Sequence, residues 1–301
     1  MDRSWSRALR DARVTAAVAA TDVVRDLVHR DSVGSTQDEA LALLRRGAGS
    51  GLLLVTDRQL AGRGRRGRTW DDAEVVGASL ALTLVIDTPP RGANLVPHAV
   101  GVAVHDALSA LGVDGLVLKW PNDVLVRSST GPAVHPSGTG DTARRRKLAG
   151  ILVEREQVDG RDLLLIGVGI NIGDQRSVSP GAVTHPSERH PDRTDVQELL
   201  RTIDGGRTDD ELDRADDELD RAELLAGLVT SLAGRLGALD GGGAELLAAY
   251  RDRCETIGRH VDVELPDGIS LRGCVTGIDE DGHLVLDADG ARHVVVAATV
   301  R

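Results

Sequence analysis

Gly62-Arg63-Gly64-Arg65-Arg66-Gly67-Arg68-Thr69-Trp70 opens with four arginines and three glycines in seven residues and closes on a tryptophan. The chain around it has 301 residues and a formal net charge of −11. The stretch therefore attracts anions locally while the molecule as a whole repels them. Arginine offers planar donors that fit carboxylate or phosphate two at a time. Glycine lets the backbone take positive φ and come close to a ligand. Two readings follow: an ordered anion clamp within a folded core, or a disordered tether that binds RNA through charge and stacking. Tethers of that kind repeat and lie in low-complexity tails. This stretch sits between two strand signals, Leu52–Thr56 and Gly77–Ile86, and is preceded by Thr56-Asp57-Arg58-Gln59. Its position predicts an ordered loop that closes when an anion neutralises its arginines.

Outward from the loop, the composition is that of a soluble globular chain, 41% hydrophobic and 28% charged. Its length allows one sizeable core and a small accessory domain. Aromatics make up 1% and phenylalanine is absent, so Leu, Val, Ile and Ala must build the core. Cys254 and Cys274 are too few and too far apart for a disulfide framework or a metal knuckle. With no signal-peptide core and no apolar run of spanning length, the expectation is a cytoplasmic protein with no membrane partner.

Residues 1–30 read as a short helical lead-in. A helix after Gly34-Ser35-Thr36 runs to Leu44, and another covers His98–Leu111 with apolar residues at helical spacing. Leu116–Trp120, Val124–Val126, Leu148–Glu154 and Leu163–Asn171 complete a strand series. A sheet backed by helices, an α+β core, is the fold class implied. The Ser-, Thr- and Gly-rich segment 128–146 reads as a flexible loop. Asp-Asp-Glu-Leu-Asp-Arg-Ala occurs twice, at 209–215 and 216–222, and makes 205–223 an acidic helical insertion. Leu224–Tyr250 returns to helix, interrupted by Gly241-Gly242-Gly243. From Thr256 short strands separated by Asp-Gly turns, the last over Val294–Val300, indicate a five-stranded barrel or sandwich. The boundary falls near 255, giving a catalytic domain over 1–255 and a small β domain over 256–301.

Four further segments carry possible chemistry. In Lys119-Trp120-Pro121-Asn122-Asp123, Pro121 holds Trp120 extended and presents an amide beside a carboxylate. That pair makes a turn, or it serves a nucleotide and its Mg²⁺. Lys147 stands at the mouth of Leu148–Glu154, where a lysine is either solvated surface or a charge aimed at a ligand. Gly167-Val168-Gly169-Ile170-Asn171 ends the next strand with two glycines and an amide. Ser35-Thr36 either caps the helix that follows or faces a site.

Taken in order, Gly-Ser-Thr, Gln-x-x-Gly-Arg-Gly-Arg-x-Gly-Arg-x-Trp, Lys-Trp-Pro-Asn-Asp, Lys-Leu-Ala-Gly-Ile-Leu-Val-Glu and Gly-x-Gly-x-Asn resemble the motif series of biotin–protein ligases. The resemblance covers about residues 30–175, and the C-terminal strands resemble that family's SH3-like barrel. It implies a catalytic domain related to class II aminoacyl-tRNA synthetases and lipoate ligases, using biotin, ATP and Mg²⁺. Ser35, Thr36 and Gln59 would bind the fused-ring head of biotin. Gln37 stands where the family has Asn, which places its ligand contact in question. Arg63, Gly64 and Arg65 would belong to the loop that folds over biotin and the adenylate. Lys147 would neutralise charge near the biotin carboxylate and α-phosphate, with Arg65 the second catalytic group. Trp70, Asn122, Asp123 and Asn171 would surround the nucleotide, with Asp123 reaching Mg²⁺ or the Lys147 amine. The acceptor implied is a biotin carboxyl carrier domain of acetyl-CoA carboxylase or a related carboxylase. The N-terminal 30 residues are too few for a winged helix-turn-helix, so no DNA partner is expected, and the protein should be a monomer or weak homodimer. The alternatives are a lipoate or octanoate ligase on the same core, and a nucleic-acid-binding regulator argued from Arg63–Arg68 and Arg144–Arg146.

Overall fold

The computed structural model describes residues 4–70, 76–128, 144–173, 193–203, 219–266 and 268–300. Within these the chain forms α1 (Trp5–Ala8), α2 (Ala12–Ala19), β1 (Asp26–Arg30), α3 (Thr36–Leu44), β2 (Leu52–Thr56), β3 (Gly62–Arg63), β4 (Thr69–Trp70) and β5 (Ser79–Asp87). It continues through α4 (Val96–Ala110), β6 (Leu116–Lys119), β7 (Asp123–Ser128), β8 (Arg144–Val158), β9 (Arg161–Asn171), α5 (Val196–Ile203), α6 (Arg221–Gly237) and α7 (Ala244–Arg253). Last come β10 (His260–Glu264), β11 (Ser270–Ile278), β12 (Leu284–Ala288), β13 (Ala291–Val295) and β14 (Thr299–Val300).

Seven strands make one sheet in the order β1-β2-β5-β9-β8-β7-β6. β1 runs parallel to β2, and the other pairs are antiparallel. Successive side chains point to opposite faces. Leu53 and Val55 of β2 join the large core under α4 and α6, while Leu52 and Leu54 pack with Ala40 and Leu44 of α3. Helices thus cover one face fully, and α3 covers part of the other. The chain then leaves α7 for a five-stranded antiparallel sheet, β13-β12-β11-β10-β14, the SH3-like barrel.

Three sequence expectations need correction. The lead-in over 1–30 is helical only to Ala19, and Asp26–Arg30 is a sheet strand. As an edge strand with no fully buried residue, it lacks the apolar run that marks its neighbours. The loop expected over 128–146 is strand at its end, where Arg144–Arg146 pair with Val126–Ser128; residues 129–143 lie outside the described residues. The strand expected over Val294–Val300 is divided between β13 and β14. Most of the acidic duplication also lies outside the described residues. Its last two residues open α6 and Asp220 caps it, accepting from the backbone N–H groups of Ala222 and Glu223. No described helix is long and apolar enough to cross a membrane.

Candidate active site

The partly covered face of the sheet decides where a ligand can sit. In register on that face lie Gly150 opposite Gly169 and Leu152 opposite Gly167, whereas Ile151, Val168 and Ile170 point into the helix-covered core. The glycines are required by what crosses above them. A Cβ on Gly169 would lie 2.6 Å from Trp70 Cε2, and one on Gly150 would lie 2.9 Å from Trp70 Cζ3. One on Gly167 would lie 3.2 Å from Gln37 Cδ. Beyond α3 the face is therefore a shallow floor on which an indole and a ligand can rest.

The arginine stretch is ordered and roofs this floor. Gly62 pairs with Trp70 and Arg63 with Thr69 in the β3–β4 hairpin. The turn is closed by Gly64 N–H donating to the Arg68 carbonyl at 2.7 Å. Arg66 takes φ 58° and Gly67 φ 71°. A Cβ on Gly62 would meet the Trp70 carbonyl at 2.5 Å, so only glycine fits that crossing.

Floor and hairpin enclose a cavity of about 280 Å³. Ser35, Thr36, Gln37 and Gln59 line one end, and Arg63, Gly64, Arg65, Trp70, Asn122, Asp123 and Lys147 line the remainder. Ser35 is buried and stands at the N-cap of α3, yet its side chain makes no capping bond. The capping role left open by the sequence is thus unused, and the hydroxyl belongs to the cavity wall. Gln59 Oε1 accepts from Thr36 N–H at 2.9 Å and Thr36 Oγ1 at 3.1 Å, while Thr83 Oγ1 donates to Thr36 Oγ1 at 2.9 Å. Gln37 turns its amide away from solvent, with Nε2 donating to the Leu152 and Leu165 carbonyls at 3.1 Å each. Its length lets it tie α3 to β8 and β9.

Lys147 reaches the cavity through a bulge. Val124 pairs with Ala149 but Leu125 pairs with Lys147, which leaves Leu148 as an extra residue. Strict alternation would send Lys147 into the helix-covered core; the bulge returns it to the face of Gly150. There Nζ donates to Asp123 Oδ1 at 2.6 Å and lies 5.6 Å from the centre of the Trp70 ring. Arg65 Nη1 donates to Asn122 Oδ1 at 3.4 Å, and Asn122 Nδ2 donates to the Ile151 carbonyl at 2.9 Å. Burial lowers the Arg65 pKa; Asp123 opposes that shift, while Arg66 and Arg68 add to it. Arg63 points outward to Glu154 at 2.8 Å and Asp38 at 2.9 Å. Asn171 stands at the end of the floor, outside the cavity lining, and its Nδ2 donates to the carbonyls of Lys147 and Thr194.

Three other groups at the site carry no motif that singles them out. Arg193 lies 5.7 Å from the Trp70 ring centre, on the cavity; no motif surrounds it. Thr299 of the barrel accepts from Arg66 Nη1 and Arg68 Nη2 at 3.0 Å each, and Arg66 also donates to the Glu264 carbonyl at 3.0 Å. On the opposite side the barrel turn Asp281-Gly282 supports Trp120, whose Nε1 donates to the Gly282 carbonyl at 3.0 Å. The two domains thus share the cavity wall.

A cationic hairpin over a glycine-floored sheet, with an SH3-like barrel closing the side, defines the α+β fold of a biotin/lipoate protein ligase. Residues 31–171 match the biotin/lipoate A/B protein ligase family and residues 256–300 the biotin protein ligase C-terminal domain. The chain is 32% identical over 272 residues to the biotin–[acetyl-CoA-carboxylase] ligase of Mycobacterium tuberculosis, covering 88% of this chain and 84% of that protein. It is 30% identical over 276 residues to the protein of the same name from Paracoccus denitrificans, covering 88% and 96%. The biotin protein ligase of Aquifex aeolicus in complex with biotin and ATP has the same fold, with a TM-score of 0.66 at 23% identity over 92% of this chain and 99% of that one. The chain belongs to the biotin protein ligase family and is a ligase.

Proposed function

We propose that the protein activates biotin with ATP as biotinyl-5′-AMP and transfers it to a lysine of a biotin carboxyl carrier domain; two relatives carry acetyl-CoA carboxylase in their names as the acceptor. The observation that carries this reading is the Lys147–Asp123 pair beneath Trp70 and beside Arg65, at the centre of one cavity. The Ser35, Thr36 and Gln59 end is uncharged and offers hydroxyl and amide groups, which suits the ureido head of biotin. The opposite end gathers Arg65, Lys119, Lys147 and Arg193, which suits a carboxylate meeting a triphosphate.

In the first half-reaction a biotin carboxylate oxygen attacks the α-phosphorus and pyrophosphate leaves. Lys147 and Arg65 hold donors where negative charge crowds in that step. Trp70, with cations on its ring, forms a platform for the base. In the second half-reaction the acceptor lysine amine attacks the mixed anhydride carbonyl and AMP leaves with the bonding pair. The hairpin keeps water from the anhydride until then. Within the cavity Asp123 is the carboxylate nearest this chemistry and already pairs with Lys147. A Mg²⁺ ion fits only as one held chiefly by phosphates and water, with Asp123 as its protein ligand. When bound, such an ion would neutralise phosphate charge.

Isothermal titration with biotin and with lipoate, each with a non-hydrolysable ATP analogue, tests the choice of acid. Saturable binding of biotin alone is the result expected; preference for lipoate would transfer the reading to the related lipoate ligases.

A further inference from the structure

The start of the chain is fastened to the roots of the arginine hairpin. The chain leaves the sheet at Asp57, just after β2, and returns at Ser79, the first residue of β5. These roots adjoin, since Thr56 pairs with Ala81 and Gly77 N–H donates to the Asp57 carbonyl at 3.0 Å. Ser4 Oγ donates to Asp57 Oδ2 at 2.7 Å, and Trp5 N–H donates to Asp57 Oδ1 at 2.5 Å. The Trp5 indole Nε1 donates to the Ser79 carbonyl at 2.9 Å. One residue, Trp5, therefore bonds both roots, through its backbone to one and its ring to the other.

Asp57 is 4% exposed and Trp5 fully buried. A carboxylate buried this deeply needs donors on both oxygens. Here the N-terminal segment supplies one to each, with His29 Nε2 also 3.1 Å from Oδ2. From the other side Arg221 of α6 stacks on the Trp5 ring at 4.8 Å. None of these groups touches the cavity, so their effect on it must pass through the hairpin's roots.

We propose that Ser4–Ala8 is a strap that holds both roots of the arginine hairpin, and that Trp5 and Asp57 are positioning residues setting how long the hairpin stays over the activated intermediate. The strap itself rests on geometry alone; its hold on the intermediate rests on the function proposed above.

Trp5→Phe tests it: the phenyl ring keeps a face toward Arg221 but removes the Nε1 donor together with part of the buried ring, and the exchange of β5 and β9 reports any general loosening from the lost volume. Asp57→Asn is the second variant, replacing one acceptor with a donor that faces Ser4 Oγ or Trp5 N–H. Amide hydrogen exchange over residues 62–70 is measured against that of β5 and β9, together with the release rate of labelled adenylate in the full chain. The hairpin amides are expected to exchange about fivefold faster, the loss of one buried hydrogen bond, with β5 and β9 unchanged. Adenylate release should rise by a similar factor, while biotin-dependent pyrophosphate exchange stays within about twofold. Unchanged hairpin exchange in both variants overturns the strap, and so does equal acceleration throughout the sheet, which would mark a merely structural role. Faster hairpin exchange with unaltered adenylate release overturns the hold on the intermediate. A parent protein that forms no adenylate sinks the proposed ligase reaction, yet the exchange experiment still decides the strap.

Discussion

In the proposed reaction Lys147 brings one amine to the point where negative charge crowds. Its Nζ touches Asp123 and lies 5.6 Å from the Trp70 ring centre, and a bulge at Leu148 places it there. Replacing it with Met should lower biotin-dependent ATP–pyrophosphate exchange about 100-fold or more, the loss typical of one preorganised donor. Lys147→Arg should recover only part of that, because a planar fork cannot take the place of a compact ammonium. Full exchange activity in Lys147→Met would remove it from the mechanism. His98 carries a different residue-scale consequence. It is buried edge-on to Tyr250 at 4.5 Å, and burial pushes its pKa down to about 4 from 6.5. Between those values the unfolded chain binds the proton more readily than the folded one. Stability is therefore retained above pH 6.5 and lost as pH falls toward 4, by about 3 kcal/mol in all. Urea titrations at pH 7.5 and 5 should show about 2 kcal/mol of that loss, and His98→Gln should shrink it. An equal pH dependence in parent and variant would refute the assignment.

At the scale of elements, the site depends on strands that carry no side chain where the indole crosses. Gly169→Ala places a methyl group 2.6 Å from the Trp70 ring, so the hairpin must lift. The expected result is a raised KM for ATP, with biotin affinity at the Ser35 end changed much less; an unaltered KM for ATP would show that Trp70 does not contact nucleotide. This explains what was legible beforehand. The glycines of the Gly-x-Gly pair and the tryptophan after the arginines are visible in the sequence, but their meeting depends on strand register. Elements with long apolar runs, such as Leu52–Thr56 and Leu163–Asn171, announce themselves by composition. Edge strand β1, half exposed and partly polar, does not. Gln37 is visible as a departure from the family pattern, and only packing shows its amide spanning two strand carbonyls.

At the scale of the molecule, the barrel touches the cavity from two directions. Thr299 accepts from Arg66 and Arg68 on the hairpin, and the Asp281-Gly282 turn backs Trp120 behind Asn122 and Asp123. Nothing in the sequence joined residue 299 to residue 66, because contacts between domains leave no local periodicity. Thr299→Val removes the shared acceptor while keeping the volume. It should speed release of adenylate several-fold, one to two hydrogen bonds in energy, with Tm nearly unchanged. Release at the parent rate would confine the barrel to a structural role. The central claim is that one cavity activates biotin and passes it to a carrier lysine. ATP-dependent transfer of labelled biotin to an isolated biotin carboxyl carrier domain, run with the parent chain and with Lys147→Met, tests it most directly. Label on the carrier lysine with the parent and a near-complete loss with the variant is the result predicted; no label with the parent in the presence of ATP, Mg²⁺ and biotin would contradict it.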